Sequence, residues 1–318
     1  MIHIRVLGAA AGGGFPQWND ATAASRRARS GDPAARPATQ ASLAVSADGE
    51  RWVLLNAAPD LRAQIEAEPA LHPRTAPRSS PIAAVVLTNG DVDAVAGLLN
   101  LREGTPFALL AHARVLQVLD ANPIFEVVRR GVVPRRALSL DAWIPLTDAA
   151  GVPLGLEMRP FALPGKVPLY LEGEASEAEI LDATAGETIG LELRAGGVRM
   201  VYAANTASVT DGLRERMRGA DAAFVDGTLW RDDEMIRAGV GTKTGRRMAH
   251  VSMSGPDGAM ARLEGLDIGR AVFVHVNNTN PALLADSPER AEIERRGFEV
   301  ARDGMALALE PARAEASP

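Results

Sequence analysis

The pattern of apolar and polar residues predicts a strand-rich first third of the chain. Residues 2–7 alternate and include β-branched side chains, which is typical of a half-buried strand. Residues 42–46 and 51–56 flank an Asp-Gly pair, and such a pair between two strand-like runs predicts a β-hairpin. A continuous apolar run at 82–87 has the length and composition of a fully buried strand.

After the run at 82–87, strands alternate with helices. Helical spacing begins at Val92, and Ser287 followed by Pro288 predicts the start of a helix that Gly297 ends. Further predicted elements are a helix near 209–218 and strands at 190–193, 198–203, 222–226 and 271–276. This order fits two packed mixed sheets with helices outside, and it equally fits a three-layer α/β sheet.

The chain shows no internal repeat and no convincing linker, so we predict a single domain over residues 1–318. Residues 19–39, rich in Ala, Arg, Ser and Pro, are predicted to form a loop, and residues 311–318 a flexible tail. The glycine-rich turn at 8–14 suggests a dinucleotide-binding motif. The G-x-G-x-x-G spacing is absent, however, and Pro16 blocks the helix that should follow.

Composition and charge narrow the possible functions. No stretch reaches the roughly 18 apolar residues of a membrane helix, and no signal-peptide pattern precedes the first strand, so we expect a cytoplasmic protein without membrane insertion. A net charge of −6 gives no electrostatic reason to expect nucleic acid as a partner. The chain has no cysteine, which excludes disulfides, thiolate zinc ligands and cysteine nucleophiles. Any metal must therefore be bound by His, Asp, Glu or backbone oxygen.

Polar side chains follow several predicted strands at the points where these strands end. Asp91 and Asp93 follow one apolar strand, while Asp226 and His275 each end another. His250 lies in a glycine-rich loop. Strand ends above a rigid sheet are where α/β proteins place binding groups. Carboxylates mixed with imidazoles suit iron, manganese or zinc better than calcium.

Each of these residues also has a purely structural interpretation. Asp91 could cap the helix that follows Gly90, and Asp226 before Gly227 could be a turn residue. A single histidine after a strand is more often a hydrogen-bonded core residue than a metal ligand. The conjunction of these residues, rather than any one of them, favours a site.

Longer strings over nearly the whole chain carry a family resemblance: Phe15-Pro-Gln-Trp-Asn19, Leu54-Leu-Asn56 with Pro59-Asp60, Leu101-Arg-Glu-Gly104, Arg237-Ala-Gly-Val-Gly-Thr-Lys-Thr-Gly245, His275-Val-Asn-Asn-Thr-Asn-Pro281 and Asp286-Ser-Pro-Glu-Arg290. Together they resemble the PqqB family of pyrroloquinoline quinone (PQQ) biosynthesis, a branch of the metallo-β-lactamase fold. The resemblance implies an αββα sandwich of two mixed sheets flanked by helices. It also implies an iron-dependent hydroxylase of the tyrosine-derived PQQ precursor, or, in an older view, a carrier of the product toward the periplasm.

The chain departs from the family pattern at metal ligands. The family turn D-x-D-H reads Asp91-Val-Asp93-Ala94 here, so one histidine is missing. The family zinc cluster C-x-C-x-x-C is replaced by Asp20, Thr22 and Ser25, and we therefore expect no structural zinc. The retained candidates for a metal site, weaker or altered, are Asp91, Asp93, Asp226, His250 and His275.

Two histidines and one carboxylate form the facial triad of non-heme Fe(II) centres. The resemblance thus makes Asp93, His250 and His275 the candidate catalytic and iron-binding residues, if the fold brings them together. Asp226 would be a ligand or would orient one. Substrate carboxylates would be bound by the basic and amide side chains nearby, which are Lys243, Arg246, Arg247, Asn277 and Asn278. A solvated loop is the alternative for the three basic residues.

A second hypothesis is a non-catalytic, metal-poor relative that binds or carries PQQ or its precursor, or supports a partner subunit. Ala94 and the absent cysteines favour it, whereas the retained Asp and His residues favour the enzyme. A third hypothesis, a hydrolase, needs a site with several histidines to activate water and is the least supported. Expected partners are PQQ or its precursor, a second copy of the chain, or other proteins of the pathway.

Overall fold

Two seven-stranded sheets form the centre of the protein in the computed structural model, which describes residues 1–165 and 186–311. The first sheet has the order β14-β1-β2-β3-β4-β5-β6, and its strands are β1 (Ile2–Gly8), β2 (Ser42–Ser46), β3 (Trp52–Leu55), β4 (Ile82–Leu87), β5 (Ala108–His112), β6 (Arg135–Leu138) and β14 (Ala306–Leu309). The second has the order β13-β12-β11-β10-β9-β8-β7, and its strands are β7 (Ile144–Thr147), β8 (Pro153–Ala162), β9 (Ile189–Ala195), β10 (Val198–Ala203), β11 (Ala222–Asp226), β12 (Ala271–Val274) and β13 (Phe298–Val300).

Both sheets are mixed in the same way. In the first sheet β14, β1, β2 and β3 pair antiparallel, whereas β3 to β6 pair parallel. In the second, β7 to β10 pair antiparallel and β10 to β13 pair parallel. Binding sites of α/β proteins form at the carboxyl ends of parallel strands, so β4, β11 and β12 can present the polar residues that follow them.

Eight α-helices lie in the described residues: α1 (Ala23–Arg29), α2 (Leu61–Ala67), α3 (Val92–Val95), α4 (Ala113–Asp120), α5 (Asp211–Met217), α6 (Glu234–Arg237), α7 (Ala259–Leu263) and α8 (Pro288–Arg295). None of the helices in this part of the chain is long and apolar enough to cross a membrane. Ser287 caps α8 by accepting a hydrogen bond from the Arg290 N–H, with Pro288 in the first turn, as the sequence predicts.

The packing explains the alternation of apolar residues. Alternate residues of β1, such as Ile4 and Val6, point into the core between the sheets, where they meet inward residues of the second sheet such as Tyr202. A second apolar cluster packs the helices α5, α7 and α8 on the outer face of the second sheet. A third packs α2, α3 and α4 on the first sheet. The αββα sandwich is confirmed, and the three-layer alternative is excluded.

Most predicted elements are present, with differences at two places. The predicted loop at 19–39 contains the helix α1, because Thr22 caps it and its alanines and arginines favour helix. The helix predicted from Val92 gives way after Val95 to a 3-10 helix at Ala96–Leu101. There the Gly97 N–H bonds to the Ala57 carbonyl, so the chain leaves α-helical geometry to dock on the 57–58 segment. Apart from Pro311, the predicted tail at 311–318 lies outside the described residues, and the single-domain assignment stays a prediction.

Candidate metal centre

Asp93, His250 and His275, with Asp91, line one cleft of about 630 Å³. Both sheets contribute residues to the cleft. Asp91 and Asp93 follow β4 of the first sheet, and His275 follows β12 of the second. The volume is in the range of pockets that enclose a small organic molecule. The fold thus brings these four candidate residues to one cleft, which the sequence alone left open.

His275 and Asp93 are in direct contact at the base of the cleft. Nε2 of His275 lies 2.9 Å from Oδ2 of Asp93, and the imidazole is buried. His275 has a left-handed backbone (φ 61°), which few residues other than glycine and asparagine adopt easily. This turn directly after β12 places its ring beside Asp93.

His250 is held by a different carboxylate. Its Nδ1 lies 2.7 Å from Oδ2 of Asp226, which is fully buried at the end of β11. Asp226 also accepts hydrogen bonds from the backbone N–H groups of Thr206 and Thr228, both at 2.9 Å. The Asp226 carboxylate is thus fixed by the backbone and in turn orients the imidazole of His250.

Thr228 connects the two imidazoles. Its Oγ1 lies 3.0 Å from Nδ1 of His250 and 2.9 Å from Nδ1 of His275. The rings are stacked, with centroids 5.2 Å apart and an interplanar angle of 23°. We did not single out Thr228 from the sequence. The available signal was its position two residues after Asp226, at a strand end already marked as polar.

The electrostatics of the Asp93–His275 pair favour the charged forms. Burial opposes the charge on Asp93, but the hydrogen bond with His275 and the nearby imidazoles outweigh it and lower the pKa of the carboxyl below its usual value. Burial likewise opposes the charge on His275, yet the hydrogen bond and the charge of Asp93 raise the pKa of the imidazole. Asp93 is therefore a carboxylate near neutral pH, as a metal ligand must be.

The remaining residues of the Asp91–Ala94 turn differ in what they contribute. Asp91 occupies the N-cap position of α3, but its side chain makes no capping hydrogen bond, so its place on the cleft wall is not explained by capping. Ala94 is buried in the apolar cluster between α3 and the first sheet. Its methyl group offers no lone pair to a metal.

The predicted substrate-binding residues separate into two groups. Lys243 and Asn277 line the cleft as predicted. Arg246 instead lines a separate cavity of about 460 Å³ that also borders His250, and Arg247 lines neither of these two cavities. Asn278 is buried and donates to Oδ2 of Asp20 at 3.3 Å.

The glycine-rich turn after β1 forms another wall of the cleft. Gly12 lies against Asp93, since a Cβ built on it would be 3.5 Å from Oδ2 of that residue. The turn pairs with the segment after β12, because the Ala11 N–H bonds to the Val276 carbonyl and the Val276 N–H to the Ala9 carbonyl, both at 2.9 Å. Positive φ angles at Gly13 (92°) and Gly14 (71°) explain two of the glycines without a dinucleotide.

Asp20, Thr22 and Ser25 form a hydrogen-bonded cluster. Oδ2 of Asp20 accepts from the Thr22 hydroxyl at 2.8 Å and from the fully buried Ser25 hydroxyl. The Thr22 N–H bonds to the other carboxylate oxygen at 2.9 Å. Together with the bond from Asn278, the cluster attaches the start of α1 to the segment after β12.

The donor set fits a borderline divalent cation. The ligand atoms of Asp226, His250 and His275 all lie within 4.8 Å of one another. This group differs from the predicted triad in its carboxylate, because Asp226 replaces Asp93. Two imidazoles with carboxylates suit iron, zinc or manganese, and the Asp93 carboxylate beside Nε2 of His275 adds a ligand on the cleft side.

Comparison with known proteins agrees with this architecture. A family model described as a beta-lactamase superfamily domain matches residues 51–276, which defines the class of fold. The crystal structure of Zn²⁺-bound PqqB from Methylobacterium extorquens has a TM-score of 0.91 and 51% identity, over 96% of this chain and 100% of that one. A diphosphatase of the PhnP family, at 22% identity and a TM-score of 0.66 over 96% of both chains, shares the fold.

Sequence relatives identify the family more specifically than the fold does. Coenzyme PQQ synthesis protein B of Gluconacetobacter diazotrophicus is 56% identical over 307 residues, which cover 96% of this chain and 99% of the relative. The protein of the same name from Methylorubrum extorquens is 51% identical over 308 residues, 97% of this chain and all of the relative. The chain therefore belongs to the coenzyme PQQ synthesis protein B family, within the beta-lactamase superfamily.

Proposed function

We propose that this protein acts in PQQ synthesis as an iron-dependent hydroxylase of an aromatic precursor derived from tyrosine. The names of its relatives support the pathway. The observation that carries the reaction type is the contact of the Asp93 carboxylate with the cleft-side nitrogen of His275, 2.9 Å away, at the base of a cleft that His250 also lines. Two histidines and one carboxylate leave coordination positions open for oxygen chemistry.

The contacts support different roles for the two carboxylates. Both Nδ1 atoms are occupied by Thr228, which leaves Nε2 of each ring as the donor to a metal. Asp93 touches Nε2 of His275 and so lies on the metal side, whereas Asp226 touches Nδ1 of His250 on the opposite side of that ring. Asp93 therefore completes the triad, and Asp226 orients His250, which accounts for its proximity to both histidines.

Asp93, His250 and His275 would hold a ferrous ion, which would supply dioxygen activation: one oxygen atom would enter an aromatic C–H bond, and an external two-electron donor would reduce the other to water. The side chains of the cleft hold the precursor in position. Met235 and Met248 provide apolar contacts for an aromatic ring, and Lys243 pairs with a precursor carboxylate. Asn277 and Gln17 offer neutral hydrogen bonds at the same cleft.

The test is oxygen incorporation from isotopically labelled dioxygen. Protein purified anaerobically and loaded with Fe(II) is incubated with the tyrosine-derived precursor and ascorbate, and the product is analysed by mass spectrometry. We expect one labelled oxygen atom in the product, and loss of the reaction in His275→Asn, which tolerates the left-handed backbone. Label entering from water instead of dioxygen would contradict the hydroxylase and favour a hydrolytic site.

A second candidate is a protein that binds or carries PQQ or its precursor without chemistry. The observation that favours it is Ala94, a buried methyl group at a position where the family pattern has a metal ligand. Binding of the precursor that is unaffected by removal of Fe(II), together with no oxygen uptake, would support this candidate. Binding that requires Fe(II) would support the enzyme.

A further inference from the structure

The hydroxyl group of Thr228 lies between the two candidate metal-binding histidines. Its oxygen is 3.0 Å from Nδ1 of His250 and 2.9 Å from Nδ1 of His275. Its own position is fixed, because the Thr228 N–H bonds to Oδ1 of Asp226 at 2.9 Å and the residue is buried. One hydroxyl group thus contacts the same nitrogen of both rings.

Donor and acceptor counting restricts what each ring can do. The Asp226 carboxylate can only accept, so Nδ1 of His250, 2.7 Å from it, carries the hydrogen and leaves Nε2 with a lone pair. In the neutral tautomer whose Nε2 donates to Asp93, Nδ1 of His275 accepts from the Thr228 hydroxyl. A metal at Nε2 of His275 requires that nitrogen to lose its hydrogen and Nδ1 to carry one.

A hydroxyl group can form a hydrogen bond with Nδ1 of His275 whether or not that nitrogen carries a hydrogen. It has one hydrogen to donate and two lone pairs with which to accept. When Nδ1 of His275 lacks a hydrogen, Thr228 donates to it. When both Nδ1 atoms carry hydrogens, the Thr228 oxygen accepts from His275 and shares the hydrogen of His250 with the Asp226 carboxylate.

We propose that Thr228 is a positioning residue that orients both histidine rings with Nε2 available to a metal, and that its hydroxyl oxygen accepts from Nδ1 of His275 in the tautomer that binds one. Partners on the far nitrogen of metal-binding histidines fix the tautomer and the ring orientation. Here one threonine serves two rings, and the Asp226 carboxylate supports both the threonine and one of the rings. The inference rests on the proposed metal centre.

The first test compares Thr228→Val with Thr228→Ser by titration with Zn²⁺ and Fe(II) under anaerobic conditions. Valine keeps the shape without the hydroxyl, and we expect metal affinity to fall about 10–100-fold, as for other partners of metal-binding histidines. Serine keeps the hydroxyl and should retain most of the affinity. The control is Thr88→Val, because Thr88 is also buried and its hydroxyl pairs with Asn56 instead of an imidazole.

The second test needs no variant that might misfold. Nitrogen-15 spectra of the histidine rings of the unaltered protein, with and without Zn²⁺, show which ring nitrogen carries hydrogen. We expect Nδ1–H on His250 in both states and on His275 once zinc is bound. Zinc on Nδ1 of either ring would overturn the proposal, as would wild-type affinity in Thr228→Val. Failure of the unaltered protein to bind either ion would instead contradict the metal centre itself.

Discussion

The carboxylate of Asp93 lies 2.9 Å from Nε2 of His275, although 182 positions separate the two residues along the chain. Asp93 follows β4 of the first sheet and His275 follows β12 of the second. The contact therefore joins the two sheets, and its geometry depends on how the sheets pack against each other.

This contact should contribute to stability before any metal binds. In a double-mutant cycle of Asp93→Asn and His275→Asn, unfolded by urea with chelator present, we expect a coupling free energy of about 0.5–3 kcal/mol, the range for contacting residues. Asparagine is chosen at His275 because it tolerates the left-handed backbone there. Additive effects within about 0.3–0.5 kcal/mol would show that the pair is not coupled.

The two carboxylates should behave differently toward a metal. With Co²⁺ as a spectroscopic probe, Asp93→Asn should change the visible absorption, because a charged ligand becomes a neutral one. Asp226→Asn should leave the band positions near those of the parent and weaken binding by about 10–100-fold, since Asp226 contacts the far nitrogen of His250. The reverse pattern of spectra would make Asp226 the ligand.

Glu234 should make stability depend on pH. Burial raises the pKa of Glu234 to about 7, and the hydrogen bonds from Thr279 and the Trp230 N–H offset this only in part. Between about pH 4.5 and 7 the folded protein keeps a proton that the unfolded chain loses. The free energy of unfolding should therefore fall as pH rises through this window, by about 3 kcal/mol in total.

Urea unfolding at several pH values, with chelator present, measures this dependence. Glu234→Gln should remove most of it and be more stable than the parent at pH 8. Glu66→Gln, at an exposed position of α2, is the control and should keep the parent slope. An unchanged slope in Glu234→Gln would assign the dependence to another group.

The Asp20 cluster should hold α1 in place without zinc. Ser25→Ala removes a fully buried hydroxyl that donates to Asp20, and we expect a loss of about 1–3 kcal/mol of unfolding free energy. Ser30→Ala, at the exposed end of the same helix, should stay within about 0.5 kcal/mol. One stoichiometric zinc per chain that disappears in Asp20→Ala would contradict this assignment.

The sequence allowed the fold to be predicted because the strands are marked by composition. The run at 82–87 and the cap Ser287-Pro288 are local signals, and the structure has both elements as predicted. The helix α1 was missed because proline and serine around it suggested a loop, whereas the cap at Thr22 decides the local structure. The choice of a sandwich over three layers came from the family resemblance.

The site was predictable in its residue types and less so in its contacts. His275 was singled out at a strand end and His250 in a glycine-rich loop, but which nitrogen faces which carboxylate depends on tertiary packing. The sequence grouped Arg246 and Asn278 with Lys243, yet Arg246 lines a neighbouring cavity and Asn278 donates to Asp20. Thr228 had only a weak signal, its position two residues after Asp226, and its role depends on the placement of both rings around it.

The turn at 9–14 is anchored by a residue almost three hundred positions later. Asp303 accepts hydrogen bonds from the Ala9 N–H at 3.0 Å and from the N–H and hydroxyl of Thr39, both at 2.7 Å, while β14 pairs with β1. During translation β1 and the turn are synthesised early, whereas Asp303 and β14, which anchor them, are synthesised late. A nascent chain that ends before residue 303 thus has every candidate metal ligand, but it lacks the carboxylate that ties the turn to Thr39.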